Sequence, residues 1–302
     1  MVGNVLIDVL ITRDGQFPRL GGAGLNVAVL LARGGARTAL VAALADDDAG
    51  RAVRRLTRQT GIELIEDGQM PATARAIVHL ESAVPSYEFD LPAYPAFGFA
   101  RQVVRSVSES DLVVVNAFDF SDDSQVRSLR QVLDACRGWR VIDPNIRPAL
   151  LPQPRAAARS LRQLLPAVDI LKVSQEDLGF LGEKAGSTGQ AFLRDGLPVL
   201  FLTRGPLGAV LRTAAGLRFR APSRVHPAEI VDTVGAGDAS LAAILLGAIA
   251  ERPYGPGSRE ALDGLSWGSH LELAMDAAAV ACRHRGGPAG PGPEDEAQTS
   301  AR

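Results

Sequence analysis

The segment Val231-Asp-Thr-Val-Gly-Ala-Gly-Asp238 ends in an acid and runs into an alanine- and leucine-rich stretch, residues 239–250. Such a run starts a helix near Gly237. Gly235, Ala236 and Gly237 then lie at a helix N-terminus, where bare amides and the helix dipole both favour an anion. Asp238 shares that first turn. A carboxylate beside an anion hole opposes simple phosphate binding, because like charges repel. It suits a reaction in which the carboxylate takes the proton of a hydroxyl that attacks phosphorus. The competing reading is a tight turn whose acid only complements the helix dipole. A dinucleotide fingerprint is the nearest rival, but Gly235-Ala-Gly-Asp-Ala-Ser240 lacks the third glycine and falls late in the chain.

A second glycine-rich segment is Leu20-Gly-Gly-Ala-Gly-Leu-Asn26. Gly21 and Gly22 let backbone approach a ligand. Asn26 can bond vicinal hydroxyls, or it can simply cap the apolar helix that follows at residues 27–33. Asp8 closes the apolar run 5–9 and places another polar group at a strand's carboxyl end; a solvated loop acid is the alternative.

These residues need a scaffold that brings distant segments together. Apolar, β-branched runs recur at 5–9, 39–43, 111–115, 140–143, 170–173 and 198–203. Helix-like stretches lie between them, at 26–33, 49–60, 123–137, 155–165 and 175–181. That alternation predicts an α/β fold with a mostly parallel sheet and helices on both faces. Ligands then bind at the carboxyl ends of the strands. Residues 69–97, with prolines at 71, 85, 92 and 95, break the rhythm and predict short strands. Residues 10–21 could join them in a small sheet, either a lid over the site or a motionless edge hairpin. We expect one domain over 1–285 and a disordered Gly-, Pro- and Glu-rich tail over 286–302.

Composition removes other classes. The net charge is −2, with no basic stripe, so nucleic-acid binding has no support. The longest apolar run is too short to cross a bilayer, and no secretory leader is visible, so a cytoplasmic protein is expected. No G-x-x-x-x-G-K-[ST], no H-E-x-x-H and no G-x-S-x-G occurs. Cys136 and Cys282 form no framework and are expected to be buried and reduced. Thirty arginines stand against two lysines, a bias that fits genome base composition.

Taken together, the motifs resemble the ribokinase-like, or PfkB, carbohydrate kinases. Gly21-Gly22-x-x-x-Asn26 is similar to the family's first signature and Asp232-Thr233-x-Gly235-Ala236-Gly237-Asp238 to its second. Between them stand Asp143-Pro-Asn-Ile-Arg147, Lys172-Val-Ser-Gln-Glu-Asp177 and Thr203-Arg-Gly-Pro-Leu-Gly208, in the family's order. The wording looks most like the fructokinase branch. The resemblance covers residues 3–287 and implies a ribokinase-like, three-layer, doubly wound α/β domain with a small β-sheet lid.

It also implies ATP-dependent phosphorylation of a primary hydroxyl of a small sugar, with Asp238 as base and Gly235, Ala236 and Gly237 as the anion hole. Asp8, Gly22 and Asn26 would hold the sugar, and Thr203, Gly205, Gly208 and Thr233 would line the nucleotide. Mg²⁺ would bridge the phosphates, with Asp177 assisting through water; a monovalent cation such as K⁺ stays open. Arg147 would reach substrate or phosphate, or form a surface ion pair. Arg75 and Phe89, from the small sheet, are further sugar contacts, unless Phe89 only fills that sheet's own core. Arg75 is the one basic candidate there, so an unphosphorylated sugar such as fructose is preferred. A 2-keto-3-deoxy acid, a nucleoside and a non-catalytic sugar sensor remain as alternatives. An exposed face around Ala76, Val78 and Leu80 would favour a homodimer through the lid. The chain departs from the pattern at Ala45, Ser174, Asp177, Ser240 and Ala243, and the strand before Gly3 is short.

Overall fold

The structure is a computed structural model. It describes residues 1–12, 15–79, 86–90, 95–147, 153–182, 189–251 and 259–290. The strands are β1 (Val2–Gly3), β2 (Leu6–Thr12), β3 (Gly15–Gly21), β4 (Ala39–Leu44), β5 (Glu63–Gln69), β6 (Arg75–His79), β7 (Ser86–Asp90), β8 (Leu112–Asn116), β9 (Trp139–Asp143), β10 (Ile170–Ser174), β11 (Val199–Thr203), β12 (Ala209–Thr213) and β13 (Arg218–Ala221). The helices are α1 (Ala23–Arg33), α2 (Asp48–Gln59), α3 (Arg101–Ser108), α4 (Asp123–Ala135), α5 (Pro154–Leu164), α6 (Gln175–Phe180), α7 (Gln190–Arg194), α8 (Ala236–Ala250) and α9 (Trp267–Cys282).

The main sheet runs β13-β12-β11-β10-β9-β8-β1-β4-β5. The pairs from β11 to β5 are parallel, and β12 and β13 close one edge antiparallel. Strand residues alternate between the two helical layers, as a two-residue period requires. Val113, Val115, Ile142, Leu171 and Leu200 pack among residues of α3, α4, α5 and α7. Val114, Val141, Ile170, Val199 and Phe201 pack on the opposite side among residues of α1, α8 and α9. Helix α8 is apolar almost all round because it is sandwiched between the sheet, α1 and α9. Its alanines permit that close approach.

The second sheet has the order β3-β2-β6-β7. Here the sequence expectations need correction. The run 5–9 is no strand of the main sheet: β1 ends at Gly3, where a Cβ would sit 2.7 Å from Gly24 Cα. The chain then enters the small sheet at Leu6, so that sheet begins before residue 10. Asp8 therefore lies within β2, opposite Arg19 and beside Ala76, not at the end of a main-sheet strand. Strand β5 pairs with β4 at the main sheet's edge. Its sequence, Glu-Leu-Ile-Glu-Asp-Gly-Gln, is mostly polar, so a search for apolar runs passes over it. The predicted exposed face is also absent: Ala76 is 3% exposed and Val78 0%. Ala76 packs with Leu6 and Ala74, which removes the basis for a homodimer through that face; Leu80 lies outside the described residues.

Residues 286–290 are ordered against α1 and the start of α8, whereas a tail beginning at 286 was expected; residues 291–302 lie outside the described residues. Cys136 and Cys282 are free and buried. No helix among the described residues is long and apolar enough to cross a membrane.

Candidate active site

The first turn of α8 is built by Gly235. Its φ of 77° is a left-handed conformation that residues with a Cβ adopt only under strain, and Pro288 Cδ would lie 2.6 Å from such a Cβ. This bend aims the start of α8 at a cavity of about 160 Å³ between the two sheets. Gly235, Gly237 and Asp238 line that cavity, with Thr233 and Val234 before them. Ala236 does not line it; its amide donates to Thr233 O at 3.3 Å. The expected hole of three bare amides thus presents Gly235 and Gly237 to the cavity.

The facing wall comes from the glycine-rich start of α1 and from the small sheet. Gly22, at φ 95°, leaves no room for a Cβ, which would meet Asn4 O at 2.7 Å. Helix α1 begins at Ala23, so Asn26 is a helical residue and not its N-cap. Its Nδ2 donates to Asp238 Oδ2 at 2.9 Å. Asn4, Leu6, Asp8 and Ala76 complete this side. Gly21 is bare because Asp8 occupies the place of its Cβ. The third wall carries Ala117, Asn145, Arg147 and Lys172 from the carboxyl ends of β8, β9 and β10. Ala117 and Asn145 both hold positive φ, 52° and 42°, strain that commonly accompanies ligand sites.

Other expected residues are placed elsewhere. Arg75 is exposed on the face of β6 opposite Ala76, so the structure does not bring it to the cavity. On β7 the backbone of Phe89 pairs with Ala76 of β6, and the Phe89 side chain, expected at the sugar, lies outside the described residues. Thr203 ends β11 beside Ser174, with Gly205 and Gly208 just beyond, on the same rim of the sheet but outside the cavity wall. Asp177 is 3% exposed, and its two oxygens accept from the amides of Ile146 (2.8 Å) and Ser174 (2.7 Å). With Ser174 Oγ accepting from its own amide, it closes a capping box at the start of α6. A shorter acid and a serine at these positions therefore serve the loop geometry. No group of three His, Cys, Asp or Glu among the described residues could hold a metal ion.

Lys172 is the site residue that motif reading passed over, although its motif was in view. Asn116 and Asp143, which end β8 and β9, and Lys172, in the middle of β10, stand side by side on the α8 face of the sheet. Lys172 Nζ lies 2.8 Å from Asp143 Oδ2, both essentially buried. Neither amide atom of Asn116 makes a hydrogen bond of ordinary geometry, although it lies near enough to favour the Asp238 carboxylate. The available signal was a lone lysine inside an apolar strand.

Burial sets the electrostatics. It raises Asp238 above the usual carboxylate range, against the hydrogen bond from Asn26 and the charges of Lys172 and Arg147. Burial, then the charges of Asp238 and Asp232, push Asp8 up to about 7, with Arg147 opposing. Burial also raises Asp143 to about 6, against the pull of Lys172. Burial disfavours the Lys172 ammonium, but Asp143, Asp177 and Asp238 more than offset it and hold the proton on.

Residues 286–289 fix the orientation of Asn26. The Ala289 amide donates to Asn26 Oδ1 at 3.4 Å, which leaves Nδ2 for Asp238. Arg33 anchors this segment through Pro288 O at 2.8 Å. A Cβ on Gly287 would lie 2.9 Å from both terminal atoms of Asn26. Gly287→Ala is therefore expected to turn Asn26 away, lowering kcat about 3- to 10-fold and moving the acid limb of the pH profile upward. Steady-state kinetics against pH check this; an unchanged acid limb refutes the role given to Asn26.

Comparison with known proteins gives the family and the fold. Residues 14–292 match the model of the pfkB family carbohydrate kinases. The chain is 28% identical over 263 residues to a probable fructokinase-3 of Arabidopsis thaliana, covering 80% of this chain and 75% of that protein. It is 29% identical over 259 residues to a fructokinase of Rhizobium leguminosarum bv. trifolii, covering 80% and 77%. The fold matches that of a fructokinase from Vibrio cholerae O395, in a form with bound fructose, ADP and calcium, at a TM-score of 0.78. Identity there is 20%, over 95% of this chain and 93% of that one. The family match spans nearly the whole chain and includes every wall of the cavity except the Asn4–Asp8 segment, so this protein belongs to the pfkB family of carbohydrate kinases, ATP-dependent phosphotransferases of ribokinase-like fold.

Proposed function

We propose that the acceptor is a primary hydroxyl of a small unphosphorylated sugar, fructose or a similar ketose. One observation carries the reading: the Asp238 carboxylate opens into the cavity at the start of α8, held by Asn26. The hydroxyl donates its proton to Asp238 while its oxygen attacks the γ-phosphorus of ATP. The new O–P bond forms as the bond to the β–γ bridging oxygen breaks, and ADP leaves with that electron pair. The amides of Gly235 and Gly237 receive the transferred group's negative charge. A divalent ion such as Mg²⁺, when bound with the nucleotide, would supply further charge neutralisation. Asp8, Asn26 and the backbone at Gly22 orient the sugar. Thr203, Gly205 and Gly208 extend the site along the nucleotide.

Charge bookkeeping supports an uncharged acceptor. Lys172 is already paired with Asp143, and Arg147 faces Asp8 and Asp238. Both cations stand at the reacting end beside Asp238, and no other cation among the described residues lines the cavity, so none is left for a phosphate already carried by the sugar. ADP release measured with fructose, ribose, 2-keto-3-deoxygluconate, a nucleoside and fructose 6-phosphate tests this reading. Turnover is expected to be best with fructose or another free ketose. Best turnover with the acid or the nucleoside would reassign the substrate. Tight sugar binding without turnover would make the protein a sensor.

A further inference from the structure

Lys172 has a position that sugar binding alone does not explain. It sits in strand β10 between Leu171 and Val173, 4% exposed, where a charge is costly. Its Nζ lies 3.2 Å from the place a Cβ of Gly237 would occupy, so the ammonium rests against the bare Cα between the anion hole and the base. The strand ends around it give it one near partner, Asp143 Oδ2 at 2.8 Å. An ammonium carries three donors, so that pair leaves it donors in a wall of the cavity.

Composition sharpens the point. The chain uses thirty arginines and two lysines, yet its buried cation here is a lysine. A guanidinium is broader than an ammonium and could not nest against Gly237. The surrounding charges then decide the role. Asp8 on β2, Asp143 on β9, Asp177 on α6 and Asp238 on α8 face this region, against Lys172 and Arg147. With all of them ionised the acids outnumber the cations before any phosphate enters. A phosphoryl group arriving beside Asp238 needs a fixed opposite charge within a few ångströms.

We propose that Lys172, anchored by Asp143, is the fixed cation of the phosphoryl-transfer site: an electrostatic positioning residue that lets the base and the incoming phosphoryl group share one small space. The proposal rests on the sugar-phosphorylation reading above.

The test uses the full chain with Lys172→Met combined with Asp143→Asn, which removes both charges and leaves no lone buried ion. Against wild type, kcat is expected to fall at least about tenfold, KM for ATP to change less than about threefold, and the acid limb of kcat to move upward. A purely structural role would leave the acid limb in place. Lys172→Arg keeps the ion pair and serves where the double variant does not fold; its displaced charge is also expected to lower kcat. A folded variant of either kind with wild-type kcat and an unmoved acid limb overturns the proposal. If wild type turns over none of the sugars, the parent reading has failed, and calorimetric affinity for ADP with fluoroaluminate decides separately. A loss of at least about tenfold there, with ADP alone binding as before, supports Lys172; equal affinity overturns it.

Discussion

Asp238→Asn is expected to lower kcat by roughly 1,000- to 10,000-fold without unfolding the protein. The substituted side chain keeps the shape, and its oxygen can still accept from Asn26. What it loses is the ability to take the hydroxyl proton. Stability should not suffer at neutral pH. Burial raises the Asp238 pKa, so the ionised form is the costly one, and that cost grows as pH rises from the unfolded value through the folded one. Neutralising the group removes the cost. The same shift makes wild-type kcat fall, on acidification, at a pH above that of an exposed carboxylate. Coupled ADP assays and thermal melts of the two proteins decide it. Equal turnover would remove Asp238 from the mechanism and with it the reading of the whole site.

Asp8→Asn should separate binding from stability. At least one sugar hydroxyl is proposed to donate to this carboxylate, and losing a charged hydrogen bond of that kind lowers kcat/KM on the order of 10- to 100-fold. The pH dependence is the sharper readout. Burial and the neighbouring acids Asp238 and Asp232 push Asp8 up to about 7. In wild type, sugar KM should therefore rise as pH drops below neutrality, and in the variant that segment should be flat. The stability sign follows from the raised pKa. The folded protein is least penalised below the usual carboxylate value of 3.8, and the penalty builds until the pH passes about 7. The variant should thus melt higher than wild type at pH 8, by a few degrees, with the gap closing toward pH 4. A variant that melts lower at pH 8 would show that Asp8 is held by compensating bonds.

Much of the layout of the candidate site was legible in the chain. Gly235-Ala-Gly-Asp238 before an apolar run fixes a helix start beside an acid, because only small residues leave the amides bare there. The alternation of short apolar runs and helical stretches was enough for a parallel sheet. Local pattern has limits where a residue's partner is far away in sequence. Asp8 reads as a strand-end acid, but its place is decided by pairing of β2 with β3 and β6, after the main-sheet strand has stopped at Gly3. Arg75 and Ala76 are neighbours in sequence, yet the pleat sends one to solvent and the other to the cavity.

The sequence by itself therefore determined the layer architecture and the identity of the helix-start acid, since both depend on periodicities and residue sizes within short segments. Tertiary structure alone decided that Asn26, 212 positions away, donates to Asp238, and that residues 286–289 pack behind the site. It alone brought Asn116, Asp143 and Lys172 into one row. The reason is physical: hydrogen bonds and ion pairs act over a few ångströms, and only the sheet's strand order brings those side chains within reach.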